Sequence, residues 1–349
     1  MGYVAIKGGE EAIDNSLNFY KETIKKSEKI EDENIESGLR FAVDKVISEG
    51  SLYSKKLAST AIKRSAGDLL NAAFFLRAHR STCQRIGIAQ TIDVEKMKLL
   101  RRISSAFKDI QGGQILGPSN DYEVKLILKS HQQQSLWEKF DDKECVLDSA
   151  LSPLRKNNLV KILPKDENIS DITRLFPEPP YTRSAVMQVL SRGESGSMLG
   201  FAYTSIRGYG DVHPTIGDLR LGTCDLNFTH PFTKNSIKIG ELEITSCESA
   251  GTFEKDENNE VKLTTGFGFC FGFNETKAIS MSILDLSLYN KKFSVGEKEF
   301  ASDFEMMVHH VDGVDSMGFT NHFKLPHYVT FQTDLQILSR ANKFVKDKK

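Results

Sequence analysis

The sequence predicts an α+β fold: a helical N-terminal region followed by a mixed α/β C-terminal region with a largely antiparallel sheet. Three observations carry that expectation. Apolar residues recur at helical spacing through roughly the first 110 residues. Segments that alternate with a period of two then dominate from about 197 to 273. Helical spacing returns in the C-terminal segment 329–346.

The helical part begins with Ile35, Leu39, Ala42, Val43 and Val46 on one face. Asn34 is placed to cap that helix and Gly50 to end it. After a break at Gly67-Asp68, Leu69, Ala72, Ala73 and Leu76 form a second stripe. Met97, Leu100 and Phe107 suggest a third helix over 93–107. Residues 133–170 carry mixed charge with little periodicity, and Pro177, Pro179 and Pro180 then forbid regular helix. The expected organisation is a helical region over 1–132, a variable linker-like segment over 133–180 and an α+β region over 181–349. Within the last, Ile237–Ile244 alternates as a strand with one buried face. Thr264–Phe273 reads as a glycine-punctuated strand. Asn274 caps an expected helix over 275–289.

Composition narrows the function classes. The 349 residues are 39% hydrophobic and 27% charged, enough for a sizeable core. A formal net charge of −1 gives no general attraction to nucleic acid or to an anionic membrane, so an anion site must be built locally. The five cysteines, at 83, 145, 224, 247 and 270, include no C-x-x-C pair, and reduced thiols in a cytoplasmic protein are the simplest reading. No apolar run approaches the ~18 residues of a membrane span, and the first residues have no signal-peptide layout.

Several segments could carry chemistry. His322 and His327 stand five apart, with Pro326 before the second. Proline disfavours helix at Leu325, so a bend could turn both imidazoles toward one point, and imidazole suits zinc. Spacing alone favours one structural and one surface histidine. Arg207-Gly208-Tyr-Gly210-Asp-Val-His213-Pro places a cation and a histidine around two glycines that permit close backbone approach to a phosphate. A glycine turn explains the same residues, and on pattern alone explains them better. Lys7-Gly8-Gly9 and the pair Arg101-Arg102 with Gly112-Gly113 are similar cases, and basic helix faces are usually solvated. No segment fits a P-loop or a dinucleotide-binding glycine motif. Asp225 lies in an expected strand, and Glu241 shares one face of another with Glu243, where solvent exposure is the bland explanation.

Taken in order these segments resemble one family from end to end. Tyr3–Glu10, Arg101–Ser104 with Lys108–Pro118, Arg207–Pro214, Gly240-Glu241-Leu242 with Cys247-Glu248, and Lys324–Tyr328 resemble the I subunit of the bacterial carbon–phosphorus lyase core complex. Only 133–170 matches poorly. The resemblance implies a cytoplasmic subunit that assembles with the G, H and J subunits and with ATPase-like accessory subunits. It implies transfer of an alkylphosphonate to the ribose C1′ of ATP with release of adenine, and nucleosidase behaviour when alone. It implies zinc held through His322 and His327, and magnesium would accompany the ATP substrate. On that reading Asp225 and Glu241 are candidates to stabilise an oxocarbenium-like state and His213 to protonate adenine. Lys7, Gly8, Gly9, Arg101, Arg102, Gly112, Gly113, Arg207, Gly208 and Gly210 are then candidates to hold the triphosphate. Two competing readings are a non-catalytic scaffold subunit and a stand-alone zinc hydrolase.

Overall fold

The computed structural model describes residues 9–25, 30–122, 125–126, 145–163, 166, 169, 171–207, 214–289 and 300–347. They form helices and a four-stranded antiparallel sheet in the order β1-β2-β3-β4, the expected α+β class. The strands are β1 (Lys98–Ile103), β2 (Thr215–Thr229), β3 (Ser236–Lys255) and β4 (Val261–Phe271). The chain divides into two compact units. One comprises Met1–Ile30 and Val314–Lys349, and includes α1 (Gly9–Lys25) and α12 (Tyr328–Lys346). The other is Glu31–Gly313, and it includes the four strands.

The larger unit opens with α2 (Asp32–Gly38), α3 (Arg40–Gly50), α4 (Lys55–Arg64) and α5 (Leu69–Thr82). Ile35, Val43, Val46, Ile62, Ala72 and Leu76 interlock as their core. The single helix expected around Ile35–Val46 is two, because Leu39 leaves helical geometry at φ −119°, ψ 43°. Asn34 is therefore not a cap; it lies inside α2, which Glu31 precedes. Gly50 does end α3, and Ser51 takes the left-handed position after it, at φ 53°. Asp68 caps α5, accepting from the Leu70 and Asn71 amides at 3.1 Å, which satisfies donors that the first helical turn leaves free.

The helix expected over 93–107 is instead a short 3-10 turn, Val94–Lys96, followed by β1. The buried apolar residues there are Met97 and Leu99, two apart, whereas Leu100 is 36% exposed. Pairing with β2 outweighs the local helical spacing. β3 carries a bulge: Leu226 pairs with Gly240 and Asn227 with Lys238, so Ile239 has no partner. That one-residue insertion keeps Ile237 on the face that buries Leu242 and Ile244 further along.

β4 is an edge strand, and α9 (Glu275–Tyr289) covers it. The Phe267 amide donates to Asp285 Oδ2 at 2.8 Å and the Phe269 amide to Met281 Sδ at 3.3 Å, so edge donors that a strand would otherwise leave open are taken up by the helix. Such an approach requires glycine. A Cβ at Gly266 would stand 1.9 Å from the Ser282 carbonyl oxygen, and one at Gly268 2.0 Å from that of Ala278. These glycines serve packing. Around α9, α7 (Arg183–Arg192), α8 (Ser195–Ile206) and α10 (Phe304–His310) complete a core of Val186, Leu190, Met198, Leu284 and Met307. Among the described residues the remaining α-helices are α6 (Ser152–Lys156) and α11 (Gly313–His322).

Candidate functional site

A cavity of about 1010 Å³ lies between β4, α7 and the C-terminal ends of α3 and α5, and is the candidate site. Its sheet wall is aromatic: Phe267, Phe269 and Phe271 are two apart on β4, so their side chains share one face. The helices contribute cations. Arg80 comes from α5, Arg183 and Arg192 from opposite ends of α7, and Arg85 from the segment after α5. Ser48, Ser51, Ser184, Gln188 and Asp166 add polar groups. Aromatic faces beside guanidinium groups are the elements that recognise a base with attached phosphates.

The arginines differ in their partners. Arg183 is held by buried Asp285, with Nε to Oδ1 at 3.1 Å and Nη2 to Oδ2 at 2.6 Å. Arg85 pairs with Asp171 and donates to Thr173 Oγ1 at 2.9 Å. Arg192 meets Asp312 at 2.9 Å, and Arg77 meets the same carboxylate at 2.8 Å. Arg80 donates only to the Ser51 carbonyl, at 3.3 Å, and forms no ion pair among the described residues. Burial first, then the charges of Arg77 and Arg192, push the Arg80 pKa below its ordinary value. Asp166 accepts from the Ser184 amide at 2.6 Å, and that bond holds its carboxyl below the usual range, hence ionised at neutral pH.

The residues expected from sequence fall elsewhere. Asp225 and Glu241 are directly opposed across β2 and β3. Lys238 joins them, 2.8 Å from Asp225 and 2.5 Å from Glu241, on a surface where the two acids are 41% and 44% exposed. Arg101 donates to Glu275, Asp121 and the Leu116 carbonyl, each at 2.6 Å. Arg102 is fully buried and donates to Asp218 and to the carbonyls of Gln111 and Asp148. Both guanidinium groups are engaged inside the chain. Gly112 and Gly113 form a turn with φ of 81° and 76°, and a Cβ at Gly112 would meet Leu147 at 2.3 Å. Arg207 follows α8 and lies 5.8 Å over the Tyr203 ring. Gly9 opens α1. Lys7, Gly8, Gly208, Gly210 and His213 lie outside the described residues.

His322 and His327 do come together. His322 ends α11 and His327 precedes α12, with the turn between them closed by the Leu325 amide donating to the His322 carbonyl at 2.9 Å. Their ring centroids are 5.2 Å apart. The Nδ1 of His322 faces the Phe319 carbonyl, and that of His327 faces the Leu325 carbonyl at 2.6 Å. A proton on each Nδ1 leaves each Nε2 as a lone-pair donor, the tautomer that metal-binding imidazoles adopt. Two such donors fit half a tetrahedral zinc site. No cluster of three or more His, Cys, Asp or Glu suited to a metal occurs among the described residues.

Sequence comparison places the chain in a defined group. Residues 2–344 match the model of the bacterial phosphonate metabolism protein (PhnI) family, and the chain belongs to that family. Among its relatives, the HtxH protein of Stutzerimonas stutzeri is 43% identical, with 97% of this chain and 95% of that protein covered. The alpha-D-ribose 1-methylphosphonate 5-triphosphate synthase subunit PhnI of Escherichia coli is 35% identical over 97% of this chain and 98% of its own length. The protein of the same name from Rhizobium meliloti is 34% identical, over 98% and 95%.

No sequence motif marks the cavity. Its one local trace is Arg77 and Arg80 at the end of a helix otherwise rich in apolar residues, with Arg85 just beyond it.

Proposed function

We propose that this chain is the I-type subunit of alpha-D-ribose 1-methylphosphonate 5-triphosphate synthase, and that it binds ATP in the cavity beside β4. The observation that carries the reading is the juxtaposition of the three β4 phenylalanines with guanidinium groups, one of them forming no ion pair among the described residues. In the reaction, a phosphonate oxygen bonds to ribose C1′ as the C1′–N9 bond breaks. The bonding pair leaves with adenine, which takes up a proton. Positive charge builds at C1′, and an ionised carboxylate nearby stabilises it. Asp225 and Glu241 do not line the cavity, so the role passes to Asp166, which does. His213 stays the candidate acid for adenine. The phosphonate is already anionic and needs no base; with water in its place a carboxylate such as Asp166 would take the water's proton, and the isolated subunit would then act as a nucleosidase.

The G, H and J subunits, with ATPase-like accessory subunits, are the proposed partners, in the cytoplasm. His322 and His327 would hold zinc, whose further ligands come from a partner, and magnesium would accompany the triphosphate. The zinc's chemistry would be Lewis acidity or the fixing of an interface. The test is release of free adenine from ATP by the chain alone, and formation of ribosyl phosphonate when the partners and an alkylphosphonate are added. Absence of both in the full complex would sink the reading. Unchanged turnover in the complex carrying Asp166→Asn would remove that residue from it. A scaffold role predicts product formation that no substitution in this cavity alters.

A further inference from the structure

The two ends of the cavity are chemically unlike, and α7 connects them over about 15 Å. At the N-terminal end of α7 the free amides are already served: Asp166 accepts from Ser184 and Thr182 Oγ1 accepts from Ala185. Arg183 is neutralised there by Asp285, which also fixes the Phe267 amide. A helix N-terminus that holds a carboxylate does not invite a polyphosphate. The C-terminal end of α7 is the reverse. Arg192 meets Asp312, which Arg77 also uses, and Arg80 beside them forms no ion pair among the described residues. Ser48, Ser51 and Ser191 line the same end.

We propose that the polyphosphate of a nucleoside triphosphate seats at Arg80 and Arg192, with the base directed along α7 to the Phe267 end near Asp166. This rests on the reading of the cavity as the nucleotide site. Arg80 is then the residue that demands an anion. Its guanidinium sits half-buried near Arg77, Arg192 and Arg85, whose repulsion the Asp171 carboxylate offsets only in part, and a bound polyphosphate offsets the remainder. The opposite orientation would put phosphates against Asp166 and leave Arg80 with only the partial compensation of Asp171.

Inorganic tripolyphosphate, ATP and adenosine, titrated calorimetrically into the full chain and its Arg80→Gln variant, separate the possibilities. The expected result is a loss of roughly tenfold or more in affinity for ATP and tripolyphosphate, the size of one charge-assisted contact, with adenosine affinity unchanged. The same variant should melt at a higher temperature than the parent without ligand, because removing Arg80 relieves repulsion; a merely structural arginine would lower it. Arg80→Lys should recover part of the polyphosphate binding. Wild-type binding of ATP with equal affinity in Arg80→Gln would overturn the seat while leaving the nucleotide reading intact. Failure of the wild-type chain to bind either ATP or tripolyphosphate would overturn both. Should Arg80→Gln misfold, Arg192→Lys tests the same end, and unchanged ATP and tripolyphosphate affinities there would equally reject the seat.

Discussion

Lys277 donates from its buried Nζ to Ser48 Oγ at 2.8 Å, at the wall of the phenylalanine–arginine cavity. Lys277 is only 1% exposed, and burial pulls its pKa below the ordinary 10.5 against the opposing charge of nearby Glu49. The unfolded chain therefore holds that proton more tightly than the folded one. Stability gains from this residue as pH rises toward 10.5, where the unfolded lysine also loses its proton.

Lys277→Met should therefore flatten the rise in stability on the alkaline side relative to the parent chain. At neutral pH it should cost roughly 1–3 kcal/mol, since it leaves Ser48 and Glu49 buried with one partner fewer. Urea unfolding between pH 7 and pH 10 measures both. An identical pH slope in parent and variant would contradict the assignment.

Glu194 gives a prediction at the acid end. Burial raises its pKa, but Lys45 at 2.8 Å and the Gly196 and Ser197 amides outweigh this and hold it at about 2, below the ordinary 4.5. Its contribution is complete above 4.5 and is lost as pH falls from 4.5 to about 2. Glu194→Ala, which removes the α8 cap, should cost about 1 kcal/mol at pH 7. The gap between the two proteins should close across that acid window in thermal melts taken at stepped pH.

The contact of α9 with β4 tolerates no side chain at Gly268, where a Cβ would lie 2.0 Å from the Ala278 carbonyl oxygen. Because that neighbour is backbone, it cannot rotate away. Gly268→Ala should lose about 3 kcal/mol or more by denaturant unfolding, the upper range for overpacking. Gly240→Ala, with open space around the added atom, is the control and should stay near wild type.

On the proposed zinc reading His322 and His327 would supply two ligand nitrogens, so zinc should be retained weakly by the isolated chain and stoichiometrically by the assembled complex. Metal analysis after gel filtration reads this directly. Replacing either histidine by Ala should remove zinc from the complex. Full retention in the double variant would place any zinc elsewhere.

Local features were legible in the sequence because their causes are local. The break at Gly67-Asp68 precedes α5, α9 begins after Asn274, and Pro326 bends the chain so that His322 and His327 meet across a single turn. The α+β class followed from periodicity, which a strand or helix imposes on its own residues. Family membership was equally legible, in an ordered set of short motifs running from Tyr3 to Tyr328. Tertiary structure alone decided which cations are available. Arg101 and Arg102 look like an anion site until Glu275 and Asp218, 174 and 116 residues further along, are seen to occupy them. Arg80 looks like a solvated helix residue until folding sets it beside Arg192 and opposite Phe267 in one cavity. Charge compensation and burial are properties of neighbours in space, and those neighbours come from α3, α5, α7 and β4, segments that no local pattern joins.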